Sequence, residues 1–233
     1  VLMLVFKDTI LGLAAGVRLT SNDMLHKGDW ITVKSVDANG IVEDMSLTTV
    51  KVRNFDNTIV TISPATLVNG SFQNWIGMQK SGGRRVKRIV YFDFRSIRLV
   101  DETLKQTLLA KHFATEDSFK LKESLQKAIE KDIEEGKDIE DLKNPAALAP
   151  TNLQLYRRFM EKYLRQRPEV NTELTLMVRH MEATQCGLPI EFYFFIKDKV
   201  WVNYEHILAD IMEHAYALAN EFGLKIYEQY PEQ

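Results

Sequence analysis

The chain has one cysteine in 233 residues. That excludes an internal disulfide framework and fits a reducing compartment. Cys186 stands before a turn-like Gly-Leu-Pro, and no neighbour in the sequence would activate it as a nucleophile. An excess of one charge is also lacking. Lys plus Arg number 30 against 32 Asp plus Glu, for a net charge of −2, so a chain-wide polyanion-binding role has no support. No apolar run approaches the roughly 20 residues of a spanning helix. Phosphate-cradling glycine loops are absent. The five histidines, His26, His112, His180, His206 and His214, are scattered without a Cys or carboxylate cluster at ligand spacing. These absences disfavour an enzyme and imply no cofactor and no metal.

What remains is an ordinary globular balance, 45% hydrophobic and 27% charged, in a length that suits one large domain or two small ones. The first residue is Val1 and no basic region precedes the apolar start, so no signal peptide is read and the chain reads as a fragment of a longer protein. That start is unusual. "VLMLVF" and "TILGLAAGV" flank the charged pair Lys7 and Asp8. The segment is either a soluble core helix or the end of a membrane helix. Gly12, Ala14, Ala15 and Gly16 would let helices approach closely, which in lipid is the usual route to association.

Short alternating runs follow at hairpin spacing: 30–36, 41–47, 48–54, 59–63 and 71–75, with turns at 37–40 and 55–58 and one helical turn after Pro64. Five short strands predict a small β-barrel or sandwich. Residues 79–88, "QKSGGRRVKR", read as a linker. The period then changes. A strand is expected at 86–94, a helix within 97–113, a helix from Leu153 to Arg165, strands at 173–182 and 189–198, a long amphipathic helix from Trp201 to Phe222, and a last strand at 224–230. Between them, residues 116–143 carry 6 Lys and 10 Asp plus Glu, with Leu121, Leu125, Ile129 and Ile133 as one apolar stripe expected to pack on this domain. With an insertion at about 114–152 removed, the order is the split βαβ arrangement called ferredoxin-like. The fold class is therefore α+β.

The residues "LGLAAGV" (11–17), "KGDWITV" (27–33) and "GIVEDMSLTTVKVRNFDNTIVTISPATLVNGSFQNW" (40–75), followed by a split βαβ domain, resemble the MscS family of bacterial mechanosensitive channels, most of all its miniconductance, YbdG-like branch. The resemblance implies a homoheptamer in the bacterial inner membrane that passes small ions with weak selectivity when the membrane is stretched, protecting against hypoosmotic shock. It divides the chain into the end of a pore-lining helix with an interfacial helix (1–26), an Sm-like β domain (27–78) and a ferredoxin-like α/β domain (79–233), the last two largely cytoplasmic. It makes Leu4 the pore constriction, Lys7 and Asp8 the kink region, and Gly12, Ala14, Ala15 and Gly16 the packing surface between helices. Membrane lipid and further copies of the chain are the implied partners, and nucleic acid is not. Two other readings stand beside it. One is a soluble oligomeric Sm-like module that binds RNA through Arg84, Arg85, Lys87 and Arg88. The other is a scaffold on the membrane surface.

Overall fold

The structure, a computed structural model, describes residues 2–120, 127, 131, 134 and 149–228; the side chains of residues 1–8 fall outside that description. The chain divides into two compact units, Val1–Ser81 and Gly82–Gln233. The stripe Leu121, Leu125, Ile129 and Ile133 lies outside the described residues.

The first unit opens with helix α1 (Leu2–Ser21). Strands β1 (Trp30–Val33), β2 (Ala38–Met45), β3 (Val50–Asn54), β4 (Ile59–Ile62) and β5 (Gln73–Asn74) form one antiparallel sheet in the order β4-β3-β2-β1-β5. Period-two alternation puts Ile31, Val33, Val42, Val50, Val52 and Ile62 on one face, where they form a core with Leu19, Leu25 and Leu67. The expected barrel is not closed. β4 and β5 are both edges, because β5 is only two residues long and pairs with β1 alone. The turn expected at 37–40 lies earlier: Lys34–Val36 make a 3₁₀ turn and Asp37 takes φ +52°, so β2 starts at Ala38. Pro64 opens helix α2 (Pro64–Asn69), with Ser63 accepting from the Thr66 amide as its cap. Helix α3 (Ile76–Lys80) follows β5.

The second unit begins almost at once. β6 (Arg84–Phe92) contains the basic run, so "RRVKR" is strand and not linker. β6, β7 (Met177–His180) and β8 (Leu188–Ile196) pair antiparallel in the order β6-β8-β7. The last stretch lies along the other edge of β6: Phe92 bridges Ile226, and the Tyr227 amide donates to Tyr91 O at 2.8 Å. The sequence order across the sheet is thus fourth, first, third, second, as the ferredoxin-like reading requires. Helices α4 (Glu102–Ala110), α5 (Asn152–Gln166) and α6 (Trp201–Glu221) contribute to the core on one face of this sheet. α4 starts later than its hydrophobic pattern because the Asp101 side chain caps it, accepting from the Leu104 amide at 2.8 Å. α6 buries Leu208, Ile211, Met212, Ala215 and Ala219, and ends where Gly223 takes φ +67°.

Two polar side chains are fully buried in this unit, Asn152 and Glu191. Asn152 ties three segments: its Nδ2 donates to Ser96 O and Phe222 O, and its Oδ1 accepts from the Arg98 amide. Removing the side chain strands those backbone groups, so Asn152→Ala should lower the unfolding free energy of the intact chain by about 2–4 kcal/mol in urea denaturation. Glu191 lies on the sheet face opposite the helices. Its Oε2 accepts from Arg179 Nε at 2.6 Å, and Lys87 Nζ is 3.6 Å from Oε1. The hydrogen bond from Arg179 outweighs desolvation and holds this carboxyl below its ordinary value of 4.5. A group whose pKa is depressed by folding contributes stability above its unfolded value and loses that contribution as pH falls through the folded one. Stability measured by denaturation should therefore decline as pH falls below about 5, with a shallower decline in Glu191→Gln.

Candidate functional site: helix α1 and its seat on the β sheet

α1 is continuous from Leu2 to Ser21, with Leu4, Lys7 and Asp8 in its first two turns. Its last turns are anchored. Leu19 is fully buried in the core of the first unit, and Ala15 is nearly so. Gly16 lies against the backbone just after β2: a Cβ built on it would stand 2.1 Å from Leu47 O. Only glycine permits that approach. Thr20 Oγ1 donates to Gly16 O, and Ser21 Oγ donates to Val17 O, so carbonyls near the helix end are satisfied by side chains from the next turn.

The chain leaves α1 through Asp23 in the left-handed region, at φ +59°. Its side chain meets His26 Nε2 at 2.9 Å. Asp29, the acid of "KGDWITV", is buried, and its Oδ2 accepts from the His26 amide at 3.0 Å and from Asn74 Nδ2 at 2.8 Å. Asn74 also donates to Met24 O. One carboxylate thus ties the segment leaving α1 to β5, while its backbone pairs with Val42 on β2. Next to it, the Trp30 and Trp75 rings stack with centroids 4.7 Å apart. Trp75 Nε1 donates to Thr32 Oγ1, and Trp30 Nε1 and Thr32 Oγ1 both donate to Asn39 Oδ1.

Further towards its N-terminus α1 has no such cover within this unit. Ile10 is 59% exposed, Leu11 52%, Leu13 45% and Val17 49%. The small residues are divided. Ala15 and Gly16 are used inside this unit, Ala14 is exposed, and Gly12 has no atom within 4 Å of the position its Cβ would take. A contiguous apolar strip on a helix is a surface that meets another helix or lipid, since isolated soluble proteins keep such patches small.

The residues of the RNA reading are used differently. Lys87 pairs with Glu191, and the Arg84 guanidinium stacks 4.3 Å above the Tyr204 ring. That reading gains no support. Cys186 is exposed in the turn between β7 and β8. No cluster of three metal-ligating side chains occurs among the described residues. No helix among them is long and apolar enough to cross a membrane.

Residues 8–77 match the sequence family "Mechanosensitive ion channel, beta-domain", a span that holds α1 from Asp8 onward, the Gly16 contact, the Asp29 node and the whole sheet. That span of the chain belongs to the mechanosensitive ion channel β-domain family. The small-conductance mechanosensitive channel MscMJ of Methanocaldococcus jannaschii is 33% identical over 73 residues, 31% of this chain and 20% of that protein. An uncharacterized MscS family protein of Helicobacter pylori is 29% identical over 93 residues, 40% of this chain and 14% of that one. The chain therefore spans a fifth or less of the length of these MscS relatives. Its fold is that of two solved structures. The cryo-EM structure of Arabidopsis thaliana MSL1 matches with a TM-score of 0.63 at 11% identity, over 97% of this chain and 61% of that one. The closed-state crystal structure of H. pylori MscS matches with a TM-score of 0.59 at 12% identity, over all of this chain and 67% of the other.

Asn74 and Asn39 are the site residues that hydrophobic periodicity does not flag. Asparagines read as turn formers, and their pairing across strands becomes visible only once the register is known. Gly16→Ala should lift the end of α1 from Leu47. Hydrogen exchange of the amides in residues 11–20 should quicken at least tenfold, while β8 amides keep their protection.

Proposed function

We propose that this chain forms the end of the pore helix and the cytoplasmic domains of a tension-gated, weakly selective ion channel in the bacterial inner membrane. The observation that carries the reading is α1, apolar and uncovered at Ile10, Leu11, Leu13 and Val17, yet seated without a gap on a mechanosensitive-channel β domain. Seven copies around an axis would bring their first helical turns together, with Leu4 as a ring of apolar side chains. Such a ring opposes wetting and so opposes ion entry. Gly12 and Ala14, which meet little of their own unit, are the positions at which neighbouring helices would approach, and Lys7 with Asp8 marks where the helix leaves the bilayer. Tension favours the state of larger in-plane area and shifts the population towards the open ring. The miniconductance branch of the family is the assignment the sequence favours.

The test is patch-clamp recording of the full-length protein in membranes under graded suction. The wild type should pass tension-activated current that discriminates poorly between anions and cations. Leu4→Ser should open at lower tension, because a hydroxyl ring wets more readily. Current without dependence on tension would remove the channel assignment, and an unchanged threshold in Leu4→Ser would remove the gate assignment alone.

A further inference from the structure

The second unit has a cavity of about 360 Å³ between the end of α4, the 3₁₀ turn at Glu116–Phe119 and α5. Arg158 and Lys162 line it, four residues apart on α5, and His112 lines it from the end of α4. No carboxylate is among its described lining residues. Among the described residues, none of these three bases is held by a hydrogen bond or an ion pair, whereas nearby Lys105, Lys111 and Lys120 all have acidic partners. Like charges four residues apart on a helix repel, so the pair is a local cost that an anion would relieve. His112 takes φ +59°, at a helix end where glycine is the usual left-handed residue. The turn is closed by the His112 amide donating to Leu109 O and the Phe113 amide donating to Leu108 O. The wall is aromatic: Phe159 meets Phe113 edge to face at 5.2 Å, and Tyr163 lines it as well.

We propose that this cavity binds a nucleotide-sized organic anion. Arg158, Lys162 and His112 hold its phosphate, with the guanidinium supplying a two-pronged donor. The flat part of the ligand rests against Phe159 and Phe113. This site is separate from the gate and does not depend on the channel reading. A free mononucleotide is the source to which the proposal commits, because the cavity joins cations to an aromatic wall, and inorganic phosphate would use only the cations.

The experiment uses the intact protein with AMP as the probe, and adenosine and inorganic phosphate as controls. Titration calorimetry should show AMP binding at least tenfold tighter than either control, and weakening as salt rises. Arg158→Gln and Lys162→Gln, both exposed positions on α5, should each weaken AMP binding about tenfold without shifting the melting temperature by more than a degree or two. In parallel, Lys162 should react readily with acetic anhydride in the free protein, and AMP should slow that reaction several-fold. AMP binding no tighter than adenosine, or unchanged in both variants, overturns the proposal. So does a Lys162 that is already protected without ligand, the result expected if the acidic stretch at 121–148 of the same chain fills the cavity.

Discussion

Two backbones meet where α1 crosses Leu47, and the absence of a side chain at Gly16 is what lets them meet. Backbone contact is stiffer than side-chain contact, because neither partner can swing away by changing rotamer. Leu19 fills the core beneath the same crossing, and the chain then turns through Asp23 into the segment fastened by Asp29. α1 is therefore fixed at its C-terminal end by packing, by a left-handed turn and by a buried carboxylate within a dozen or so residues. A displacement applied to its N-terminal half cannot be absorbed at that end. It must be taken up along the helix or carried into the sheet.

The second unit is stabilised differently. Its sheet is covered by helices on one face, and its core is large enough that polar groups are not needed for bulk stability. Yet Asn152 and Glu191 are both buried. Replacing such groups by apolar ones of similar shape is often neutral, while deleting one partner is costly. The asymmetry fits a role in choosing one arrangement over others. Asn152 can satisfy Ser96, Arg98 and Phe222 only when the loop after β6, the start of α5 and the end of α6 converge. Glu191 is in register with Arg179 across β8 and β7, so a one-residue slip would leave a desolvated charge unpaired.

Much of this was legible in residue order. The strands and helices follow the periods of two and 3.6 closely, and α6 buries most of the stripe that its spacing predicts. Boundaries moved where a side chain, not hydrophobicity, sets the end: Asp101 delays α4, and the left-handed Asp37 starts β2 early. Closure of the small sheet was not legible, because period-two alternation fixes which face is buried and says nothing about whether edge strands meet. The linker expected at 79–88 is shorter than read: the two units divide at Ser81 and Gly82, but the strand already starts at Arg84, because bases resemble a linker locally and Val86 and Val90 show the strand only when read with the residues beyond. At α1 the sequence pointed to small residues as one surface, and the structure gives them two uses. Gly16 and Ala15 serve the subunit's own fold, a division that depends on where Leu47 arrives from another part of the chain.

The exposed strip on α1 can be weighed. Fully burying a large aliphatic side chain is worth about 1.5–3 kcal/mol, and Ile10, Leu11, Leu13 and Val17 are each roughly half covered already, so about 3–6 kcal/mol remains to be gained per copy. Bringing two proteins together in water costs about 4–15 kcal/mol in lost freedom. The strip alone is therefore too weak to hold an assembly. In the channel proposed above, other surfaces must fix the copies relative to one another, and the α1 contacts add a term small enough to be broken and remade. A gate requires that balance: helix contacts strong enough to exclude water from the closed ring, and weak enough for membrane tension to separate them while the seat at Gly16 keeps each helix attached to its own sheet.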